Sequence, residues 1–136
     1  MTTDVAPNLQ AEATDIVREL VHSVRGLRGA LLASVDGRPV ASVLRDHDAG
    51  STAAIIASSR GLGERLAELS GEGTLEEIVV RSSAGYVVIY AAGRRGVLTV
   101  LTESAANLAM LHLRARDVAG ELARLLERLD DGSTTG

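Results

Sequence analysis

The sequence predicts an α/β domain of element order αββαβββα. Its five-stranded antiparallel sheet runs in the order 2-1-5-4-3, with two helices on one face and one on the other. Three observations predict it. Two β-like runs, GALLASV and RPVASVL, flank the pair Asp36–Gly37, and an Asp-Gly pair between such runs is a strong hairpin signal. The stretch GYVVIYAAGRRGVLTVL, residues 85–101, holds two apolar runs whose only charges are Arg94 and Arg95. Neither run alternates, so both need cover on two faces. Three further segments space their apolar residues as helices do.

Residues 1–8 read as a flexible tail, 9–130 as a single domain and 131–136 as a second flexible tail. From Leu9, the positions Ala13, Ile16, Val17, Leu20, Val21, Val24 and Leu27 make one helical stripe, with Asn8 as its cap. The hairpin around Asp36–Gly37 follows, expected as a type I′ turn because both central residues then need positive φ. Pro39 cannot donate to a ladder, so the second strand is an edge.

Asp46–His47–Asp48 reads as a solvated loop ending in an Asp N-cap, and it leads into a helix from about residue 48 to 70. Ile55, Leu62, Leu66 and Leu69 can form one apolar stripe on it. A second stripe is built of small residues, Gly50, Ala54, Ala57 and Gly61, spaced 4, 3 and 4. Such a face lets another backbone approach closely, either a partner helix or the sheet. Gly61–Leu62–Gly63 begins like a dinucleotide fingerprint, but its sixth position is Leu66 and no strand precedes it. The GEG at 71–73 ends the helix.

The third strand, TLEEIVVRS, carries Glu76, Glu77 and Arg81 and reads as the opposite edge. GYVVIYAA and GVLTVLT, joined by a turn at Arg94–Arg95, belong inside. The last helix is expected to open near Ser104 and to bury Leu108, Leu111, Ala115, Val118, Leu122, Leu125 and Leu129. One strand order satisfies two edges, an apolar first strand and two inner strands joined by short turns: 2-1-5-4-3.

Composition narrows the chemistry. The chain has 136 residues, net charge −4 and a pI of about 5.3, which disfavours nucleic acid. The two aromatics, Tyr86 and Tyr90, do not make a base-stacking platform. All fourteen basic residues are arginine, so no P-loop or Schiff-base lysine exists. There is no cysteine, and the histidines His22 and His112 fall on separate helices, so no metal cluster is expected. The longest uncharged run, residues 82–93, has twelve residues, far short of the roughly 20 needed to span a bilayer. No signal peptide is visible, and the expected location is cytoplasmic. No nucleophile–base–orienter set emerges, so no catalytic residue, metal or cofactor is assigned and the protein is expected not to be an enzyme.

The layer arithmetic predicts a second copy. A five-stranded sheet is roughly 24 Å across, while one helix is about 10 Å wide. The middle helix alone therefore leaves part of its face bare. A homodimer that packs the two middle helices together beside paired third strands would cover it. Its interface residues are expected to be Gly50, Ala54, Ala57, Gly61, Leu75 and Ile78.

The stretch RGLRGALLASVDGRPVAS resembles the opening of roadblock/dynein-light-chain domains, where a hairpin with a DG turn follows the first helix. The second half resembles them too: a GY-apolar hairpin running into VLTVL, then Ala106–Asn107 before the last helix. The similarity runs from about residue 9 to 129 and is strongest to bacterial members that regulate Ras-like GTPases. It implies a homodimer with a shared ten-stranded sheet, acting as a non-enzymatic scaffold in signalling. It implies a small Ras-like GTPase as partner, whose nucleotide cycle or localisation the dimer modulates, and a sensor-kinase-like protein as a further partner. In relatives the GTPase docks on the middle-helix side, which on this chain points to Asp46, Asp48, Arg60, Glu64 and Arg65. The alternative is a PAS-like small-molecule sensor, which also layers helices on an antiparallel sheet and would need a cavity with a few placed polar groups.

Overall fold

Eight elements appear in the expected order: α1 (Ala6–Ser23), β1 (Leu27–Ser34), β2 (Pro39–Val43), α2 (Ala49–Glu68), β3 (Glu77–Arg81), β4 (Gly85–Ala92), β5 (Gly96–Glu103) and α3 (Leu108–Thr135). The computed structural model describes residues 6–45 and 48–135, and the side chains of 8–45 and 48–128. The sheet order is β2-β1-β5-β4-β3, every pair antiparallel.

Strand alternation sorts the core into two clusters. On one face Ala30, Leu32, Val88, Tyr90, Leu98 and Val100 meet Val17 and Leu20 of α1 and Leu111, Ala115 and Leu122 of α3. On the other, Leu31, Ala33, Ile89 and Val97 meet Ala53 and Ile56 of α2, with Ala49 at the margin. The first cluster is much the larger, because two long helices lie on that face and one on the other. The central strands are apolar on both sides for this reason.

The hairpin between β1 and β2 forms, with a different turn. Ser34 N–H donates to Arg38 O at 2.8 Å and Gly37 N–H to Ser34 O at 3.0 Å. The loop is thus three residues long, with Gly37 at φ 93°. A left-handed glycine closing a three-residue loop replaces the type I′ turn. Arg94 and Arg95 form an exposed hairpin tip, as expected.

Helix ends also differ. α1 begins at Ala6, so Asn8 lies inside the helix rather than capping it. α3 opens at Leu108, where Asn107 Oδ1 accepts from Met110 N–H at 3.1 Å; Asn107 takes the capping role expected of Ser104. α3 runs on to Thr135, through backbone read from the sequence as tail. β3 starts at Glu77, three residues later than the TLEEIVVRS reading.

Candidate interaction surface

α2 and β3 lie at the thinly covered side of the sheet, and each is fixed there by local chemistry. Asp48 caps α2: its carboxylate accepts from Gly50 N–H at 3.0 Å and from the Ser51 hydroxyl at 2.8 Å. The Ser51 and Gly50 hydrogen bonds hold the Asp48 carboxyl below its ordinary range. At the far end Gly71, φ 106°, turns the chain away.

The helix meets the sheet through Ala53, Ile56, Arg60 and Gly63, spaced 3, 4 and 3. Neither stripe read from the sequence is the one that meets the sheet; this third one is. Two of its four residues, Ala53 and Gly63, are small, and at Gly63 the sheet side comes close. A Cβ on Gly63 would fall 2.6 Å from Ile78 Cδ1 and 3.3 Å from Leu75 Cδ2. Leu75 and Ile78 are therefore half-buried beneath their own helix, while Val79 and Val80 on the same strand are exposed.

The small-residue stripe lies to the side. Gly50, Ala54 and Gly61 are exposed and Ala57 is half-buried. Ala54 and Ala57 flank Gly37 of the first hairpin, and nothing lies within 4 Å of a Cβ placed on Gly61. The large apolar stripe faces outward: Ile55, Leu62, Leu66 and Leu69 are 67, 61, 58 and 82% exposed. None of these four was among the expected interface residues. Their spacing of 7, 4 and 3 was visible; what was missing was a reason to turn them away from the sheet.

β3 is an edge, paired with β4 alone. It is tied to α3 by ion pairs to Arg116, whose Nη2 lies 3.4 Å from Glu77 and 3.5 Å from Glu76, and by His112, whose Nδ1 lies 3.4 Å from Glu77. The Tyr90 hydroxyl lies 2.6 Å from the same His112 nitrogen, and burial pushes the phenol well above its ordinary range. β3 carries no proline, in contrast to β2, so every residue on it keeps a backbone N–H for pairing.

Of the five residues expected to face a GTPase, the four described do not form one patch. Arg60 is a correction. Its guanidinium is buried, its Nη1–H donates to Gly96 O, and its Nε lies 3.7 Å from Glu64 Oε1. It pins α2 to the start of β5 instead of meeting solvent. Its aliphatic stem explains how an arginine occupies a helix–sheet contact. Asp48 is exposed, but its carboxylate is engaged with its own helix. Glu64 and Arg65 are exposed on α2. Asp46 lies outside the described residues. Among the described residues no group of three metal-ligating side chains comes together, and no helix is long and apolar enough to cross a membrane.

A family model described as the Roadblock/LC7 domain matches residues 13–102. An uncharacterized protein of Methanocaldococcus jannaschii is 29% identical over 103 residues, covering 75% of this chain and 90% of that protein. Among solved structures, MglB with a tetrameric arrangement is similar with a TM-score of 0.80 and 23% identity, over 89% of this chain and 92% of that one. The Roadblock/LC7 domain from Streptomyces avermitilis gives a TM-score of 0.76 and 24% identity, over 84% and 97%. These structures share the fold: three helices around a five-stranded antiparallel sheet in the order 2-1-5-4-3.

Proposed function

The chain belongs to the Roadblock/LC7 domain family, and we propose that it acts as a non-enzymatic, homodimeric regulator of a small Ras-like GTPase in the cytoplasm. One observation carries this reading: four large apolar side chains, Ile55, Leu62 and Leu66 of α2 and Leu69 just past its end, stand exposed on one face of a helix whose Gly63 packs against Ile78 of an edge strand. Contiguous apolar surface of this kind marks an interaction site, and an edge without proline or bulge is a template for another strand.

A second copy satisfies both features at once. Two β3 edges pair antiparallel and extend the sheet to ten strands. The two α2 helices then meet over the seam through Ile55, Leu62, Leu66 and Leu69, with the small stripe of Gly50, Ala54, Ala57 and Gly61 at the flank. The tetrameric arrangement of MglB supports self-association for this fold. On the outer surface of the paired helices, Glu64 and Arg65 remain as charges for a GTPase, and Arg60 acts by holding α2 in place.

The role in a nucleotide cycle rests on the family. The test is the rate of GTP hydrolysis and of nucleotide exchange by small Ras-like GTPases of the same genome, each measured with and without this chain. At least one GTPase should change either rate several-fold, and the chain alone should hydrolyse no GTP. No binding and no rate change with any of them would overturn the proposal.

A further inference from the structure

The antiparallel register brings one terminus of every strand to the same end of the sheet. Leu27 pairs with Thr102, Ala30 with Val43, Arg81 with Tyr86 and Gly85 with Glu103. Four arginines stand at that end, Arg25 and Arg28 about the start of β1, Arg45 after β2 and Arg81 closing β3, with Glu103 of β5 at the same end, on a chain whose net charge is −4. None of these four has an ion-pair partner among the described residues. Elsewhere Arg18, Arg38, Arg116 and Arg128 each lie within 3.6 Å of a carboxylate oxygen.

A cleft with a cavity volume of about 640 Å³ opens at this end, within the usual range for a small-molecule site. Its wall combines apolar surface from Leu27, Val43 and Tyr86 with the guanidinium groups of Arg28 and Arg45 and the imidazole of His22, and no described carboxylate lines it. The Ser82 and Thr102 hydroxyls of the wall are already engaged. The Ser82 hydroxyl donates to Gly85 O at 3.1 Å and accepts from the Ala84 and Gly85 amides at 3.2 Å. The Thr102 hydroxyl donates to Glu103 O at 3.0 Å. The β3–β4 turn is thus a preformed wall, and the Arg28 and Arg45 guanidinium groups, with the Tyr86 hydroxyl and the His22 imidazole, remain to meet a ligand.

We propose that this cleft binds a small amphiphilic anion: a carboxylate or phosphate head held by Arg28 and Arg45, with an apolar body against Leu27, Val43 and Tyr86. A guanidinium suits either head, because its fork of donors matches two oxygens at once. An uncharged ligand would leave two cations unanswered beside it, and a fully polar one would leave the apolar wall wet. The site lies at the strand ends and requires neither a second copy nor a GTPase, so it stands or falls independently of the function proposed above.

The test uses the full chain alone, titrated with decanoate, decyl phosphate and decanol, followed by calorimetry and by amide chemical shifts. Decanoate or decyl phosphate should bind at least tenfold more tightly than decanol. The shifts should fall on Leu27, Gly85, Tyr86 and Thr102 and spare α2. The double variant Arg28→Gln/Arg45→Gln should lose at least tenfold in anion affinity with its decanol affinity and melting temperature unchanged; both arginines are exposed. Equal affinity for decanol, or shifts confined to α2, would overturn the proposal. So would anion binding unchanged in the double variant. Binding to an acidic peptide or to anionic vesicles, with none to the free anions, would also overturn it and assign the basic end to a macromolecule.

Discussion

Replacing Leu62 and Leu66 together by glutamine separates the proposed dimer from the fold. These side chains are 61 and 58% exposed in the single chain. Full burial of a leucine is worth about 2–3 kcal/mol, so covering the exposed part contributes about 1–1.5 kcal/mol per residue. Two residues in each of two protomers give about 4–6 kcal/mol, and partial coverage brings that to about 3–5 kcal/mol. At 1.4 kcal/mol per decade, the dimer dissociation constant should weaken roughly a hundredfold to a few thousandfold. Glutamine keeps leucine's helix propensity, and a surface change of this kind moves monomer stability by only about 0.5 kcal/mol. Sedimentation equilibrium over a dilution series gives the constant, and circular dichroism checks the helices. Leu113→Gln is the control: it removes a leucine of similar exposure, 65%, from α3, and should leave the constant unchanged. A double variant that dimerises within threefold of the parent would refute the assignment of this stripe. So would an equal loss in the Leu113 variant.

Three further outcomes follow from the geometry. Gly85→Ala should lower the melting temperature by about 10 °C, because its Cβ would fall 1.9 Å from the backbone oxygen of Thr102, a clash worth more than about 3 kcal/mol; a shift under 2 °C would contradict the register of β4 on β5. Arg60→Ala should cost about 2–3 kcal/mol in urea unfolding, since it leaves a void and an unpartnered Gly96 carbonyl, while Arg65→Ala should cost under about 0.5 kcal/mol; equal costs would contradict the buried placement. The depressed Asp48 carboxyl stabilises α2 in full above the ordinary carboxylate range, and that contribution is lost as pH falls through the lower folded value. Asp48→Ala should therefore flatten the acid limb of the stability–pH curve below about pH 4; an unchanged limb would contradict the cap.

The strand order was legible because a few residues constrain it. Pro39 marks one edge, and Glu76, Glu77 and Arg81 mark the other. The unbroken apolar runs of β4 and β5 require inner positions, and short turns join neighbours. Together these leave the order that the structure has. Asp48 was legible as a cap for a similar reason, since its chemistry is local.

The orientation of α2 was not legible, and the reason is physical. Helical spacing shows which residues share a face, but not which face meets the sheet. The inward face of α2 is narrow and contains Arg60, a residue whose charge argues for solvent and whose stem and single backbone acceptor permit burial. The stripe with the most apolar surface then has to go elsewhere. A second copy makes outward leucines favourable, and that free energy belongs to the assembly and not to the chain. The same limit hid the cleft: Arg28 and Arg45 are far apart in sequence and line one cavity only through strand register.

The central claim is that this dimer binds a small Ras-like GTPase. Sedimentation velocity on a mixture with each Ras-like GTPase of the same genome, loaded with GDP or with a slowly hydrolysed GTP analogue, tests it most directly. For at least one GTPase and one nucleotide, a single boundary heavier than the dimer should carry both proteins. Separate boundaries for dimer and GTPase in every mixture, at concentrations where the chain itself is dimeric, would contradict it.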